Sequence, residues 1–389
     1  MLTHKILTRE FILCFFAQFA FTSVFHALTP TLPLYLSRLK STEIEIGILI
    51  GIMGVSSLLL RPIVGRGLLR IPEKRFMMMG ALLYVLTSVS LLIAPPFWPL
   101  LIVRIFQGVG MAFFYTSAST LIANITPGAH LGQSLSYFYL SFNTAMALAP
   151  SIGMLLINHF GFVLLFWVCA GLSLCSLSIA SQLENRKVHP VELSMKDDAF
   201  LNRKAIPPSI IIFFTHLIWG ALAAFFPLYA VDQGVANPGL FFAAYAVMLI
   251  SGRVLGGRIT DLYSREKVIL PCLTTYIVAM VILAFSKTLP MFILVASIWG
   301  IGNAFLVPTL VAYTLDRVGS ARGPAMGTIT AIGDLGTGLG PASMGVVLRL
   351  TSYPMMFLCL ALMGALNLCY FYFFLRKKEK WEPSFRKEL

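Results

Sequence analysis

The chain has 389 residues, of which 58% are hydrophobic and only 12% are charged, and its mean hydropathy is +0.85. A soluble domain carries roughly twice that share of charged residues, so the composition excludes a water-soluble fold. In lipid a backbone must satisfy its own hydrogen bonds, which leaves helices or a closed barrel. The apolar segments are long and do not alternate with period two, so they predict an all-α membrane protein.

Twelve apolar segments are long enough to cross a bilayer, which takes about 20 helical residues. In chain order they are 10–36, 44–68, 76–95, 98–124, 131–157, 161–182, 207–232, 237–260, 268–287, 290–314, 322–349 and 353–375. The longest polar stretch, residues 184–204, separates six of them from six. We therefore expect six-helix bundles at 1–183 and 207–375, a cytoplasmic linker at 184–206 and a basic cytoplasmic tail at 376–389.

The formal net charge is +13, and the positions of the basic residues explain it. If the amino terminus is cytoplasmic, 22 of the 29 Lys and Arg fall in cytoplasmic segments and four in outer segments. This excess is the positive-inside signature, which predicts that both termini are cytoplasmic. The charge therefore reports topology in a bacterial-type inner (plasma) membrane, and no nucleic-acid partner is expected.

The second half of the chain repeats the first at an almost constant offset. The repeated anchors are Pro33 and Pro227, Arg61 and Arg253, Gly108 and Gly300, and Pro150 and Pro341, at offsets of 194, 192, 192 and 191. Four anchors in the same order indicate a duplicated six-helix unit. Two parallel repeats with a substrate site between them are a transporter architecture.

Three motifs lie at matching places in this duplicated chain. They are the loop from Gly65-Arg66-Gly67 to Arg75, the loop from Gly257-Arg258 through Asp261 to Lys267, and Arg104-x-x-Gln107-Gly108-x-Gly110 in span four. Together they resemble the major facilitator superfamily over nearly the whole chain, with a pattern closest to its drug or metabolite:proton antiporters. The resemblance implies 12 transmembrane helices in two pseudo-symmetric six-helix bundles, the major facilitator fold.

The two loops are expected to form a conformational latch. The loop glycine permits close helix approach, and a loop aspartate can stabilise the positive end of a neighbouring helix. In the family this contact is associated with closure of the cytoplasmic side. Asp261 supplies the carboxylate in the second loop, whereas Leu69 and Pro72 depart from the pattern in the first. The expected latch residues are Gly65, Arg66, Arg70, Gly257, Arg258, Asp261 and Arg265; alternatively, the loops only supply topogenic positive charge.

Asp334 is the only acidic residue deep inside a predicted span. It lies about 12 residues into span eleven, hence about 18 Å along the helix. The repeat offset of 191 relates it to Asn143 in span five. Because a buried carboxylate is pushed toward its neutral form, we expect Asp334 to carry a coupling proton or to contact a cationic substrate group. The alternative is a packing carboxylate bonded to nearby hydroxyl or backbone groups.

Other polar side chains are candidates for the same substrate or coupling site. Arg104 keeps its proton and needs a partner, which could be an anionic substrate group, backbone carbonyls or the coupling site itself. His26 and His216 can change charge near neutral pH, although a lone membrane histidine is more often a packing residue. The remaining candidates are Gln107 of the span-four motif, and Gln18, Trp219, Trp299 and Asn303, on spans that line the central cavity in this family.

Spans five and eleven both place small residues around a proline. Pro150 follows alanines and precedes Gly153, whereas Gly336 and Gly340 precede Pro341. Small residues permit close helix packing and proline bends a helix. In the family, G-x-x-x-G-P in span five marks antiporters. Here the better copy lies in span eleven, which favours antiport.

The sequence therefore predicts a secondary transporter that exports a small organic molecule in exchange for protons, by alternating access. The alternatives are a proton-coupled importer or facilitator of a small metabolite, or a lipid translocator. An enzyme is not expected, because the spans lack a carboxylate pair, H-E-x-x-H and G-x-S-x-G, and the chain has no ATP-binding phosphate loop. We expect no cofactor and no metal, since the six cysteines lie in spans without ligand spacing. The expected partners are the substrate, protons and membrane lipids, around a monomer.

Overall fold

The computed structural model describes residues 7–126, 131–185, 202–256, 263–318 and 322–375. Within these ranges the chain forms eleven α-helices and no strand. This agrees with the helical fold expected from a backbone that must satisfy itself in lipid.

The first half of the chain forms five helices. They are α1 (Arg9–Arg38), α2 (Glu43–Gly67), α3 (Glu73–Ser90), α4 (Trp98–Ile125) and α5 (Leu131–Ser181). A capping box starts α2, because Thr42 accepts from the amide of Glu45 while the Glu45 carboxylate accepts from the amide of Thr42. The long α5 is broken at Gly161, where φ is +82° and only glycine avoids strain. Its two arms correspond to predicted spans five and six.

The second half forms six helices. They are α6 (Ile206–Asp232), α7 (Gly239–Gly256), α8 (Arg265–Phe285), α9 (Leu289–Val318), α10 (Arg322–Leu350) and α11 (Tyr353–Tyr370), the last followed by a π-helical turn at Phe371–Leu375. With the break in α5, the described helices supply a segment for each of the twelve predicted spans. Their ends agree with the prediction to within a few residues, and the predicted end of span eight, at 257–260, lies outside the described residues.

Eight of the described helices are long and apolar enough to cross a membrane by length and composition alone. The shorter α7 contains a further apolar stretch, Gly239–Val254. The helix α10 is long but is diluted by seven glycines and by polar residues including Asp334. Helices of this kind need neighbouring helices to cover their small and polar faces.

The described residues divide into two compact units, each treated separately below. The first unit falls within Met1–Leu193 and Leu222–Ala243, and the second within Ser194–Ala221 and Ala244–Leu389. The division passes through α6 and α7. The domain boundaries expected from the sequence therefore stay a prediction.

The packing of the two halves follows one scheme. In the first half, α3 packs against α4 and α5. In the second half α8, which lies 192 residues after α3, packs against α9 and α11. Large apolar side chains such as Leu59, Trp98 and Leu350 are exposed on the helix surfaces, as expected where lipid replaces water.

Candidate functional site

The helices α6 and α10 meet backbone to backbone along a row of glycines. A Cβ atom on Gly336 would collide with the carbonyl oxygen of Phe213, and one on Gly340 with that of Leu217. On the facing helix, a Cβ on Gly220 would stand 2.9 Å from Cδ of Pro341. The residues predicted for helix packing in span eleven therefore lie at the closest approach of these two helices, where small side chains are needed.

Asp334 lies beside this contact. The Nδ1 atom of His216 on α6 is 3.3 Å from Oγ1 of Thr337 on α10, and a Cβ on Gly333 would stand 2.9 Å from the same nitrogen. Asp334 follows Gly333 and precedes Thr337 by three residues, so it shares their helical turn. The structure thus groups a partly buried carboxyl, a hydroxyl and an imidazole near the middle of α10.

In the first unit, α1 and α5 make the corresponding close contact. A Cβ on Gly153 would stand 2.8 Å from the carbonyl oxygen of Ala27. The buried ring of His26 lies edge-on to the rings of Phe25 and Phe142, with centroids 5.0 and 4.7 Å apart. Asn143, next to Phe142, is also buried. Both units therefore hold a histidine of α1 or α6 against the helix that carries the midspan polar residue.

Besides Glu10 at the helix end, two buried polar side chains of α1 have atoms without a hydrogen bond within the described part of the chain. They are Gln18, at both amide atoms, and His26, at Nε2. An unsatisfied buried polar atom costs about 1–3 kcal/mol, so such groups call for a water, a ligand or a functional reason. These two positions stay candidates for substrate contact.

Arg104 binds backbone carbonyls of the neighbouring helix. Its Nε donates to the carbonyl oxygen of Leu49 at 2.8 Å, and its Nη2 to that of Ile50 at 3.3 Å. Its Nη1 donates to Oε1 of Gln107 at 2.6 Å. A Cβ on Gly108 would collide with the Ser56 hydroxyl. The span-four motif therefore fastens α4 to α2 at this level.

Aromatic and amide groups of four helices meet inside the second unit. The ring of Trp299 on α9 lies 5.5 Å from Trp219 of α6 and 4.5 Å from Tyr245 of α7, and edge-on to Tyr276 of α8 at 6.0 Å. Asn303 accepts from the Tyr276 hydroxyl at 2.7 Å and donates to that of Tyr245. We call these five residues the aromatic cluster. Only Trp219 and Asn303 are partly exposed, so they form its accessible side.

The predicted latch loops are described in part. Arg66 and Arg70 are exposed, and no atom of the described residues lies within 4 Å of a Cβ built on Gly65. The close approach expected at Gly65 occurs two residues later, because a Cβ on Gly67 would stand 2.6 Å from the Phe76 ring. In the second loop, the predicted residues Gly257, Arg258 and Asp261 lie outside the described part of the chain.

Two further contacts join helix ends near these loops. Asn124 at the end of α4 donates to the buried carboxylate of Glu73 at the start of α3, at 2.6 Å. Nε of Arg265 at the start of α8 lies 3.6 Å from a carboxylate oxygen of Asp316 near the end of α9. Both pairs connect the third helix of a repeat with its fourth.

Pro150 marks another close contact in the first unit. A Cβ on Gly239, at the start of α7, would stand 2.6 Å from the carbonyl carbon of Pro150. The amide of Asn158 donates to the carbonyl oxygen of Ala236 at 2.8 Å, just before that helix. The position of Pro150 is thus one of close backbone packing, as its small neighbours in α5 predict.

Sequence reasoning missed Tyr245 and Tyr276, which hold Asn303 from both sides. Tyrosines are common in apolar helices, so neither stands out alone. The repeat offers one signal, because Tyr84 of α3 lies 192 residues before Tyr276 and is also buried in the interior of its unit. Glu73 was missed because it stands at a helix end among basic residues.

Comparison with known proteins gives the same architecture. A sequence profile of the Major Facilitator Superfamily matches residues 12–236 and again residues 208–389. Among solved structures, the nucleoside transporter NupG superimposes with a TM-score of 0.78 at 13% identity, over 94% of this chain and 98% of that one. The human organic anion transporter MFSD10 (TETRAN) gives a TM-score of 0.68 at 14% identity, over 93% and 98%. At these identities the likeness shows the fold.

Curated relatives include exporters and resistance proteins. The chain is 25% identical to the staphylopine export protein of Staphylococcus aureus over 367 residues, 89% of each chain. It is 22% identical to multidrug resistance protein 2 of Bacillus subtilis, over 84% of this chain and 86% of that one. It is 20% identical to the quinolone resistance protein NorA of Staphylococcus aureus, over 82% and 84%. With all-helical bundles and a profile match along both halves, the chain belongs to the Major Facilitator Superfamily.

Proposed function

We propose that this membrane protein exports a small organic molecule in exchange for protons. Membership of the superfamily makes it a secondary transporter of small molecules, and not an enzyme, within a membrane that its relatives indicate is the bacterial plasma membrane. Proton coupling, outward direction and the class of substrate are the proposed parts.

The observation that carries the proposal is the group of Asp334, Thr337 and His216 at the α6–α10 contact. Away from helix ends, these are the only carboxyl and imidazole groups among the described residues of the second unit. The neighbouring α11 has no acidic, basic or histidine residue in Tyr353–Tyr370. A carboxyl at this depth costs a few kcal/mol when charged, which favours proton uptake and makes its charge sensitive to what binds beside it.

The coupling follows from competition at this group. A cationic substrate favours the carboxylate, whereas its departure favours proton uptake from the side that is open. If the protein with an ionised Asp334 and no substrate changes slowly between its inward-open and outward-open states, each half of the transport cycle carries either a proton or the substrate. His216 and Thr337, which contact each other on the turn that carries Asp334, are the groups we expect to hydrogen-bond either form of the carboxyl.

The proposed substrate has an apolar, ring-containing body with a polar group. The partly exposed members of the aromatic cluster, Trp219 and Asn303, bring an indole ring and an amide to its accessible side. Rings stack on such faces and amides fix orientation. The relatives named for staphylopine export and for quinolone resistance suggest staphylopine and a quinolone as the first compounds to test.

The test uses inside-out membrane vesicles with an imposed pH gradient, acid inside, that drives uptake of the substrate into the vesicle. Wild-type vesicles should accumulate the transported compound, whereas Asp334→Asn should abolish accumulation and retain exchange of labelled for unlabelled substrate at equal pH. Asp232→Asn, at the exposed end of α6, is the control and should behave as wild type. Unchanged gradient-driven accumulation in Asp334→Asn contradicts its proton role. Accumulation only with the opposite gradient would identify an importer.

A further inference from the structure

An apolar crevice of about 360 Å³ lies between the beginning of α8 and the middle of α9. Val268, Pro271 and Cys272 line it from α8, and Ile301 and Phe305 line it from α9. Its volume is near the lower end of ligand-sized cavities, which run from about 300 to 1,000 Å³. It therefore suits one narrow apolar group.

The crevice is closed at one end by a close helix contact. A Cβ on Gly302 would collide with the Thr275 hydroxyl, so α8 and α9 touch at this level. That hydroxyl donates to the carbonyl oxygen of Cys272 at 2.7 Å, which turns its polarity away from the crevice. An occupant meets almost no hydrogen-bonding group inside.

The crevice opens on the outer, lipid-facing side of α9. Ile301 is 41% exposed, whereas Trp299 and Asn303, two positions away on either side, point into the aromatic cluster. Ile293 and Leu294, about two turns earlier, are exposed as well. An exposed apolar surface on a membrane helix faces acyl chains.

A cationic group and a phenol stand at the other end. Tyr263, just before α8, and Lys267, in its first turn, line the mouth and are both exposed. Lys267 makes no ion pair in the part of the chain that the structure describes. Its neighbour Arg265 lies 3.6 Å from Asp316. The mouth therefore presents a positive charge next to an apolar slot.

We propose that this crevice binds an anionic phospholipid. One acyl chain enters between α8 and α9, and the phosphate lies on the ammonium of Lys267 with the Tyr263 hydroxyl as a second donor. The charge favours an anionic headgroup and disfavours a cationic amphiphile. A basic side chain near the membrane surface is a recognised attractor of anionic lipids. The site is independent of the proposed proton exchange, because it lies on the opposite side of α9 from the aromatic cluster.

The test measures lipid retained by the purified full chain in native mass spectrometry. The protein is incubated with phosphatidylglycerol or with phosphatidylcholine of the same acyl chains. Wild type should retain the anionic lipid preferentially, and Lys267→Ala should lower that retention roughly fivefold, the factor expected for one basic residue at the surface. Lys204→Ala, an exposed cation of the same unit, should leave it unchanged.

A second pair of variants tests the acyl-chain slot. Ile301→Trp should fill the crevice and lower retention of both lipids, whereas Ile293→Trp, on an isoleucine of similar exposure in the same helix, should not. Equal retention of the two lipids by wild type, or wild-type retention by Lys267→Ala, overturns the headgroup contact. Wild-type retention by Ile301→Trp overturns the slot. Displacement of lipid by an apolar amine rather than by a lipid phosphate would assign the crevice to a drug instead.

Discussion

Arg104 is a buried cation whose partners are all uncharged. Three of its donors are satisfied by the carbonyls of Leu49 and Ile50 and by the amide of Gln107. Its planar fork spreads donors over three nitrogens and so spans all three acceptors, whereas a lysine offers its donors from a single nitrogen. Arg104 binds α2, Gln107 holds the guanidinium from α4, and Gly108 lets the two helices touch, so the motif acts as one brace. Backbone carbonyls were one of the partners foreseen from the sequence, and a role in transport stays a prediction.

Removing the amide should show how much the brace contributes. Gln107→Leu leaves one donor of Arg104 buried without an acceptor, so we expect a loss of about 1–3 kcal/mol in stability. Gln107→Glu should keep the fold, because a carboxylate accepts the same hydrogen bond. Thermal unfolding in detergent measures both, with Gln182→Leu as an exposed glutamine control. A Gln107→Leu midpoint equal to that of the control would contradict the brace.

The glycines of α10 show that one neighbouring helix can determine which residues a helix carries. Gly336 and Gly340 face the backbone of α6, whereas a Cβ on Gly327 of the same helix would meet no atom within 4 Å among the described residues. Position along the helix therefore decides what an added methyl group does. This allows a matched comparison within one helix.

Gly340→Ala should separate α6 from α10 and cost about 1–3 kcal/mol, since the carbonyl of Leu217 cannot move as a side chain can. Gly327→Ala should be neutral or stabilising by up to about 1 kcal/mol, because alanine has the higher helix propensity. The thermal unfolding midpoints of both variants, together with their exchange of labelled for unlabelled substrate, test this prediction. Equal midpoints would mean that the two helices are not in firm contact.

The paired contacts at the ends of the third and fourth helices show duplication with changed chemistry. Glu73 and Arg265 are 192 residues apart, and so are Asn124 and Asp316. The first repeat uses a buried carboxylate with an amide donor, and the second a more exposed ion pair. The location of the contact is kept while the donor and acceptor change sides. An exposed ion pair contributes at most about 1 kcal/mol, so the first is the firmer connection.

Across the whole molecule, the features that the lipid environment requires could be predicted from the sequence. The contacts between residues distant in the sequence could not. Twelve spans follow from hydropathy, and the repeat from constant offsets such as that of Gly108 and Gly300. The Tyr245–Asn303–Tyr276 contacts join three helices, so no local pattern announces them. The α2 partners of Arg104 are backbone carbonyls some 55 residues away. Since every residue has a carbonyl, the sequence does not indicate which ones will bind. The break at Gly161, by contrast, has a local cause, a glycine between two apolar runs.

The orientation of the whole molecule is the remaining prediction, and the lipid proposal depends on it. Lys267 attracts the anionic inner leaflet only if α8 begins in the cytoplasm, as the excess of basic residues predicts. Fusions of alkaline phosphatase, which is active outside, should give activity after Lys40 and after Lys287, and none after Glu184 or at the carboxyl terminus. A fluorescent protein that folds only inside should give the reverse pattern. Activity of the phosphatase at the carboxyl terminus would contradict the predicted orientation and place Lys267 at the outer leaflet.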